Sequence, residues 1–508
     1  MALTICRYYK FMKPFSTNKT SACPLNQTNP LGNSLNTVNS IPIQLGNSLR
    51  RYLSMDHFES NDNRPAVSKL SPQEVDVILR ANQYTHEFHE GSSVKSYDSN
   101  QLASNKPIED TRAEASCLLT TGFMFGVFDG HGGSACAQVI SKRLFDYVAA
   151  RLLPYDSLLG YKNTYKKEPR RLIDSYNDNV QFVDDVRKLY GDSFDRFLND
   201  LANEGAVKNF EMPDAMEKAF LRLDKDIGDE ALPKVEKERV NLKTMSVAMS
   251  GAVVCLAHVD GPHLHVANVG DCSAVLGSLS ETDTWLANKL NTEHNAYHRA
   301  EADRVLSEHP ASERRSLLRA DRLLGQLAPL RALGDYRFKW PLKVMRDVVV
   351  AAFGEGVVPP EYRTPPYLTA RPEVVYRKLT ARDKFLIIGT DGLWDVVTPL
   401  QAVRLVGEHM AGKVTLEPLI LPRRNNITLS EIETMLKRRR EGRRTKPRDA
   451  NAATHVIRHA LGAGEFGLDH VKLAKLLSLP DDVVRVFRDD ITVTIVYFDS
   501  EYLRHCPA

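Results

Sequence analysis

Hydrophobic and polar positions follow two regimes along this chain of 508 residues. Short apolar runs bounded by glycine and acidic turns predict strands, and longer stretches with apolar residues three to five apart predict helices. Strands are expected at 108–119 and 122–128, joined by the turn at Thr121-Gly122. A hairpin is expected from 250–258 and 264–269, because the link Asp260-Gly261-Pro262 is so short. Further strands are predicted at 374–379, 385–389 and 491–498. A helix is predicted over 134–153, where Val139, Leu144, Val148 and Leu152 line one face and Pro154 stops it. Ser71-Pro-Gln-Glu74 reads as a capped helix start, and Thr398-Pro399 caps a helix running to 410. Others are expected at 429–440, 451–461 and 471–477. Residues 155–245 are mostly charged and helical in character. Hairpin strands grouped apart from helices predict α+β layers and not an alternating βαβ sheet. The folded domain is expected over 67–500, with insertions near 155–245 and 411–450.

Composition adds exclusions. Hydrophobic residues make up 43% and charged residues 26%, ordinary for a water-soluble globular chain. No apolar run approaches the roughly 18 residues of a membrane span. A net charge of +3 implies no polyanionic partner. The basic cluster Lys437 to Arg448 has no interleaved aromatics, so it reads as a solvated insertion able to dock an acidic protein, and not as a nucleic-acid site. Seven cysteines are scattered without a C-x-x-C pair, which argues against a disulfide framework and against structural zinc. Residues 1–55 differ: Arg7, Lys10, Lys13, Lys19, Arg50 and Arg51 stand among Ser, Thr and Asn, with no acid before Asp56. That pattern predicts a mitochondrial transit peptide, cleaved near Tyr52, and residence in the matrix.

The chemistry is concentrated at strand ends. The apolar run ending at Phe128 delivers Asp129-Gly130-His131-Gly132-Gly133; Asp391-Gly392 follows a second run, and Asp489-Asp490 opens a third. Each alone is how ordinary turns are written. Three such carboxylates, distant in sequence, are what a hard-cation site on a sheet needs. Taken in order, Ile108-Glu-Asp110, Val127-Phe-Asp-Gly-His-Gly-Gly133, Ser250-Gly251, Ala267-Asn-Val-Gly-Asp271, Arg331-Ala-Leu-Gly-Asp335, Thr390-Asp-Gly-Leu-Trp-Asp395 and Arg488-Asp-Asp-Ile-Thr492 resemble the PP2C-type (PPM) serine/threonine phosphatases. Stretches such as Phe338-Lys-Trp340 and Thr364-Pro-Pro-Tyr-Leu-Thr-Ala370 look most like the branch acting on pyruvate dehydrogenase.

The resemblance implies a four-layer αββα sandwich, two antiparallel sheets flanked by helices, with the site in a cleft at one end. It implies two Mg²⁺ or Mn²⁺ ions sharing a water that attacks phosphorus directly. Asp129 would bridge them, with the Gly130 carbonyl, Asp391 and Asp489 as further ligands. Glu109 would hold metal-bound water, and Asp271 a weaker third ion. His131 would be the general acid for the departing serine oxygen. Asn105 stands where the family commonly places a phosphate-binding arginine, as it does in the pyruvate dehydrogenase phosphatase branch. Cys272-Ser273 replaces the family's Ser-Arg, removing an expected ion pair near Asp271, while the ligand set is intact. Cys136 is expected to be a buried helix residue and not a nucleophile. The implied substrate is phosphoserine on the E1α subunit of pyruvate dehydrogenase. Docking on a lipoyl domain of E2 with a shared Ca²⁺ and a regulatory subunit are implied as well. Two alternatives stand beside this: a matrix phosphatase for branched-chain ketoacid dehydrogenase, and a scaffold that binds without turnover.

Overall fold

Thirteen strands build the two large sheets of the computed structural model, which describes residues 70–89, 91–165, 170–176, 178, 184–206, 209–234, 240–421 and 427–506. The stretch expected to be a transit peptide lies outside the described residues. In chain order the strands are β1 Tyr84–Glu87, β2 Val94–Leu102, β3 Thr111–Cys117, β4 Phe123–His131, β5 Ile173–Tyr176, β6 Gly251–Asp260 and β7 His263–Val269. They continue with β8 Ser273–Leu279, β9 Trp285–Lys289, β10 Leu333–Gly334, β11 Glu373–Lys378, β12 Asp383–Gly389 and β13 Ile491–Phe498. One sheet runs β11-β7-β6-β4-β3-β5, with β10 also on β6; the other runs β1-β2-β13-β12-β8-β9. All these pairings are antiparallel.

The sheets pack face to face. Tyr97 of β2 meets Phe125 of β4 edge-on, with ring centroids 5.4 Å apart. Val94, Phe125, Leu386, Ile388 and Val496 belong to one buried cluster spanning both sheets. Helices α2 (Ala135–Leu152), α3 (Met212–Ala231) and α4 (Leu242–Met249) lie on the outer side of the first sheet. Helices α1 (Pro72–Arg80), α5 (Pro399–Met410), α7 (Ala452–Gly462) and α8 (His470–Leu477) cover the second, and α6 (Leu429–Arg443) stands against the turn at Gly467-Leu468. The expected αββα layering is therefore present.

Caps mark several helix starts. Ser71, Thr398 and Thr428 each form a capping box with the Glu or Gln three residues on, and Asn451 accepts from the Thr454 amide. Several strands depart from the expected pattern. The first, β2, is nearly polar in sequence, yet Asp98, Ser99 and Asn100 are buried. The amide of Asn100 donates to the Leu79 carbonyl and the Thr454 hydroxyl, both at 2.8 Å, while Asp98 accepts from Thr85, the Ala452 amide and Tyr497. Hydrogen bonds with α1 and α7 take the place of apolar alternation there. The edge strands β1 and β9 and the small-residue strand β8 carry no strong period either. In the helical stretch 155–245, β5 adds an edge strand.

Candidate metal centre and active site

The end of β4 carries the first site residues, and the strand runs further than its apolar pattern predicted. Asp129, Gly130 and His131 are still paired, opposite Val253, Ala252 and Gly251 of β6. Gly130 is required by contact: a Cβ there would lie 2.4 Å from the Glu109 carbonyl oxygen, so the backbone ahead of β3 presses directly on β4. Glu109 and Asp110 therefore stand beside Asp129. From the other sheet, Asp391 follows β12 as the first residue of a four-residue helix. A Cβ on Gly392 would sit 2.0 Å from the Asp490 carbonyl, which brings the backbone of Asp391-Gly392 against that of Asp489-Asp490 ahead of β13. Asp271 occupies the corner where the chain leaves β7 for β8, turned by Gly270 at φ +99°. Both sheets thus contribute acidic ends to one place.

The carboxylates are close enough to perturb each other. Burial raises Asp129 well above the usual carboxylate range, and Asp110, Asp391, Asp271 and Asp489 add to it. Asp391 is raised well above it too, by burial and then by Asp271, Asp489 and Asp395. Burial and Asp490 push Asp110 up to about 8, although the hydroxyls of Thr492 and Thr390 donate to it at 2.8 and 2.9 Å. Burial carries Asp271 up to about 6. A buried, mutually repelling set of carboxylates calls for cations. Among the described residues two cations stand near: Arg485, bonded to Asp489 at 2.9 Å and 3.6 Å from Glu109, and Arg488, which feels the charges of Asp489 and Asp490. Glu109 Oε1 accepts from the Gly133 amide at 2.8 Å, while its Oε2 is buried without a hydrogen-bond partner. An oxygen-only donor set with a buried carboxylate oxygen that accepts no hydrogen bond fits Mg²⁺ or Mn²⁺ with retained water and disfavours zinc or copper. Among the described residues no three His, Cys, Asp or Glu side chains are grouped as the ligands of one ion, so the fit rests on donor chemistry and not on a ready coordination shell.

His131 stands beside this cluster. Its Nε2 lies 2.5 Å from Asp335 Oδ2. Burial acts to lower the imidazole pKa, but Asp335, through charge and hydrogen bond, and then Asp271 and Glu109 outweigh it and raise it. Asp335 sits in the left-handed region at φ +50°, and its amide donates to the Ser250 carbonyl at 2.9 Å. The pair lies directly over Gly251, where a Cβ would be 2.1 Å from Asp335 Oδ2 and 2.2 Å from His131 Nε2. Asp335 received no role from the sequence, although it closes the motif Arg331-Ala-Leu-Gly-Asp335; the signal was an acid after a glycine, in register with the other strand-end acids.

Asp490 is a second residue without an assigned role. Its carboxylate accepts from the amides of Ser104, Asn105 and Glu109 and from Asn105 Nδ2, at 2.5 to 2.9 Å. It ties the loop ahead of β3 to the start of β13. The side chain of Asn105 is thus anchored at the rim of the site. Cys136 lies buried in α2 with its thiol toward the Leu333 carbonyl, as expected. At the Cys272-Ser273 departure, Ser273 faces Glu293, which pairs with Lys289.

The chain belongs to the protein phosphatase 2C family, whose model matches residues 156–421. That range holds Asp271, Asp335 and Asp391 but starts after Asp129 and stops before Asp489, whose place in the site rests on the geometry above. Within the family, the chain is 42% identical over 455 residues to "[Pyruvate dehydrogenase [acetyl-transferring]]-phosphatase 1, mitochondrial" of Homo sapiens, covering 86% of this chain and 84% of that one. It is 41% identical over 450 residues to the human phosphatase 2 of the same name, covering 85% and 84%. A solved serine-threonine phosphatase 2C from Toxoplasma gondii is 14% identical, with a TM-score of 0.40 over 82% of this chain and 99% of that one.

Proposed function

We propose that this phosphatase removes phosphate from serine on the E1α subunit of pyruvate dehydrogenase and so reactivates it. The observation that carries the substrate is the 42% identity, over most of both chains, to a phosphatase named for that enzyme. Asp129, the Gly130 carbonyl, Asp391 and Asp489 would hold two Mg²⁺ or Mn²⁺ ions, and Asp271 a weaker third. When bound, such ions supply an acidified water and offset the charge on the phosphoryl oxygens. Glu109 Oε2, which accepts no hydrogen bond from the protein, would accept one from water in that space. His131 would protonate the departing serine oxygen. Because Asp335 engages Nε2, the proton for that transfer would be carried on Nδ1. Asn105, anchored by Asp490, would offer its remaining amide hydrogen to the phosphate.

The same reading places the protein in the mitochondrial matrix, bound to the E2 lipoyl domain through a Ca²⁺ held at the interface and governed by a regulatory subunit. Among the described residues no helix is long and apolar enough to cross a membrane. The test is Mg²⁺-dependent release of phosphate from phosphorylated E1α. Wild-type protein should release it and Asp129→Asn should not. Faster release from the phosphorylated branched-chain E1 would overturn the substrate. No release from either, with complex binding intact, would favour the scaffold.

A further inference from the structure

Helix α6 and the turn after it hold more positive charge than the fold uses. Between Lys437 and Arg448 there are eight cations and one acid, Glu441. Two of the cations have structural work. Arg439 Nη1 donates to the carbonyls of Glu417 and Glu465, both at 2.7 Å, and Arg448 pairs with Asp76 of α1 at 2.7 Å. The other six are Lys437, Arg438, Arg440, Arg443, Arg444 and Lys446. They are exposed, and among the described residues their side chains have no ion-pair or hydrogen-bond partner. The helix C-terminus favours a cation or two in its last turn, which accounts for Arg440 and Arg443 but not for the set. Like charges this close repel each other across less than a Debye length. A surface selected only for solubility would mix signs.

The arrangement on the helix is one-sided. Ile432, Met435, Arg439 and Gly442 face inward, and a Cβ on Gly442 would lie 2.3 Å from the Phe466 carbonyl, so that side is fixed against the body of the protein. Leu429, Glu433, Leu436, Lys437, Arg440 and Arg443 recur three, four or seven positions apart along an outer side, with Glu433 its one acid. Leu429 is 86% exposed and Leu436 43%. The stripe therefore runs from Leu429 at the start of the helix, past Glu433 and Leu436 near its middle, to a dense set of cations at its end. A helix lying in a membrane surface needs an apolar face along its length; the half-buried apolar side chains of α6 are already turned toward the protein. Nucleic acid is disfavoured by the absence of any aromatic between Leu429 and Arg448.

We infer that this outer side of α6, with Arg444 and Lys446 beyond it, is a docking surface for an acidic domain of the assembly that carries the phosphorylated substrate. The inference rests on the pyruvate dehydrogenase reading given above. The surface stands in the helical layer outside the second sheet and uses none of the site residues, so it governs access to the assembled substrate and not the chemistry.

The test is the charge-reversal variant K437E/R440E/R443E/R444E, assayed on the intact phosphorylated pyruvate dehydrogenase complex and on p-nitrophenyl phosphate with Mg²⁺. The expected result is a fall of about tenfold or more in kcat/KM on the complex, with hydrolysis of the small ester unchanged. Wild-type turnover of the complex should fall steeply with added salt, while that of the variant should not. Equal rates on the complex for both proteins would overturn the docking surface and leave the substrate reading standing. Wild-type protein active on the small ester but not on the complex would overturn both. Cosedimentation with phosphatidylserine-containing vesicles that the variant loses, with rates on the complex unchanged, would assign the stripe to a membrane and overturn the protein partner.

Discussion

Gly251 shows how little room the His131–Asp335 pair leaves. Its missing side chain is the space in which the imidazole and the carboxylate meet. Gly251→Ala should fold, since the position is extended strand, but the methyl must push the pair apart. We expect kcat to fall by about a hundredfold, the usual lower range for losing general-acid help, with the melting temperature little changed. Steady-state kinetics beside a thermal melt would check it. Asp335→Asn makes a finer change. If His131 is the proposed general acid it works protonated, so activity should be lost as pH rises through its pKa. Asp335 raises that pKa against burial, which alone would lower it. Without the carboxylate, the alkaline limb of the kcat profile should move to lower pH. A profile that stays in place would show that another group sets the limb.

Hydrogen bonds and not apolar burial hold β2 in place, and that makes it testable at the scale of the element. Asn100 joins β2 to α1 through the Leu79 carbonyl and to α7 through Thr454. Asn100→Ala leaves these buried acceptors short of a donor and should cost about 1–3 kcal/mol, read as a lower denaturant midpoint at unchanged slope. The same network explains why the strand escaped a reading by period. Val94-Lys-Ser-Tyr-Asp-Ser-Asn-Gln-Leu102 has polar residues on both faces, and the reason they are buried lies more than 350 residues away, at Ala452 and Thr454. Elements whose signals are local were legible: the capped helices α1, α5 and α7, and the hairpin β6–β7. The site was legible as Asp129, Asp391 and Asp489 because each follows or opens an apolar run. Asp335 was not given a role because its function depends on a contact with His131 across 204 residues.

At the scale of the whole molecule, the cluster joins two sheets. Asp129 comes from β4 of one, Asp391 and Asp489 from the ends of β12 and β13 of the other, and Asp271 from the link between β7 and β8 that crosses from one sheet to the other. Repulsion within the cluster opposes the packing of the sheets, and bound divalent ions would reverse its sign. Chelation should therefore destabilise the entire fold and not only stop turnover, because an ion at a hundred times its Kd adds about 2.7 kcal/mol. Asp391→Asn separates the two effects. In chelator it removes one buried like charge and should melt above the chelated wild type, by on the order of 1–3 kcal/mol. With Mg²⁺ it would lack a proposed ligand and should gain little, so the order of the two proteins should invert. Calorimetry of both, with and without Mg²⁺, reads this directly. Equal gains from Mg²⁺ would place the ions elsewhere and leave the carboxylates as a polar junction between sheets.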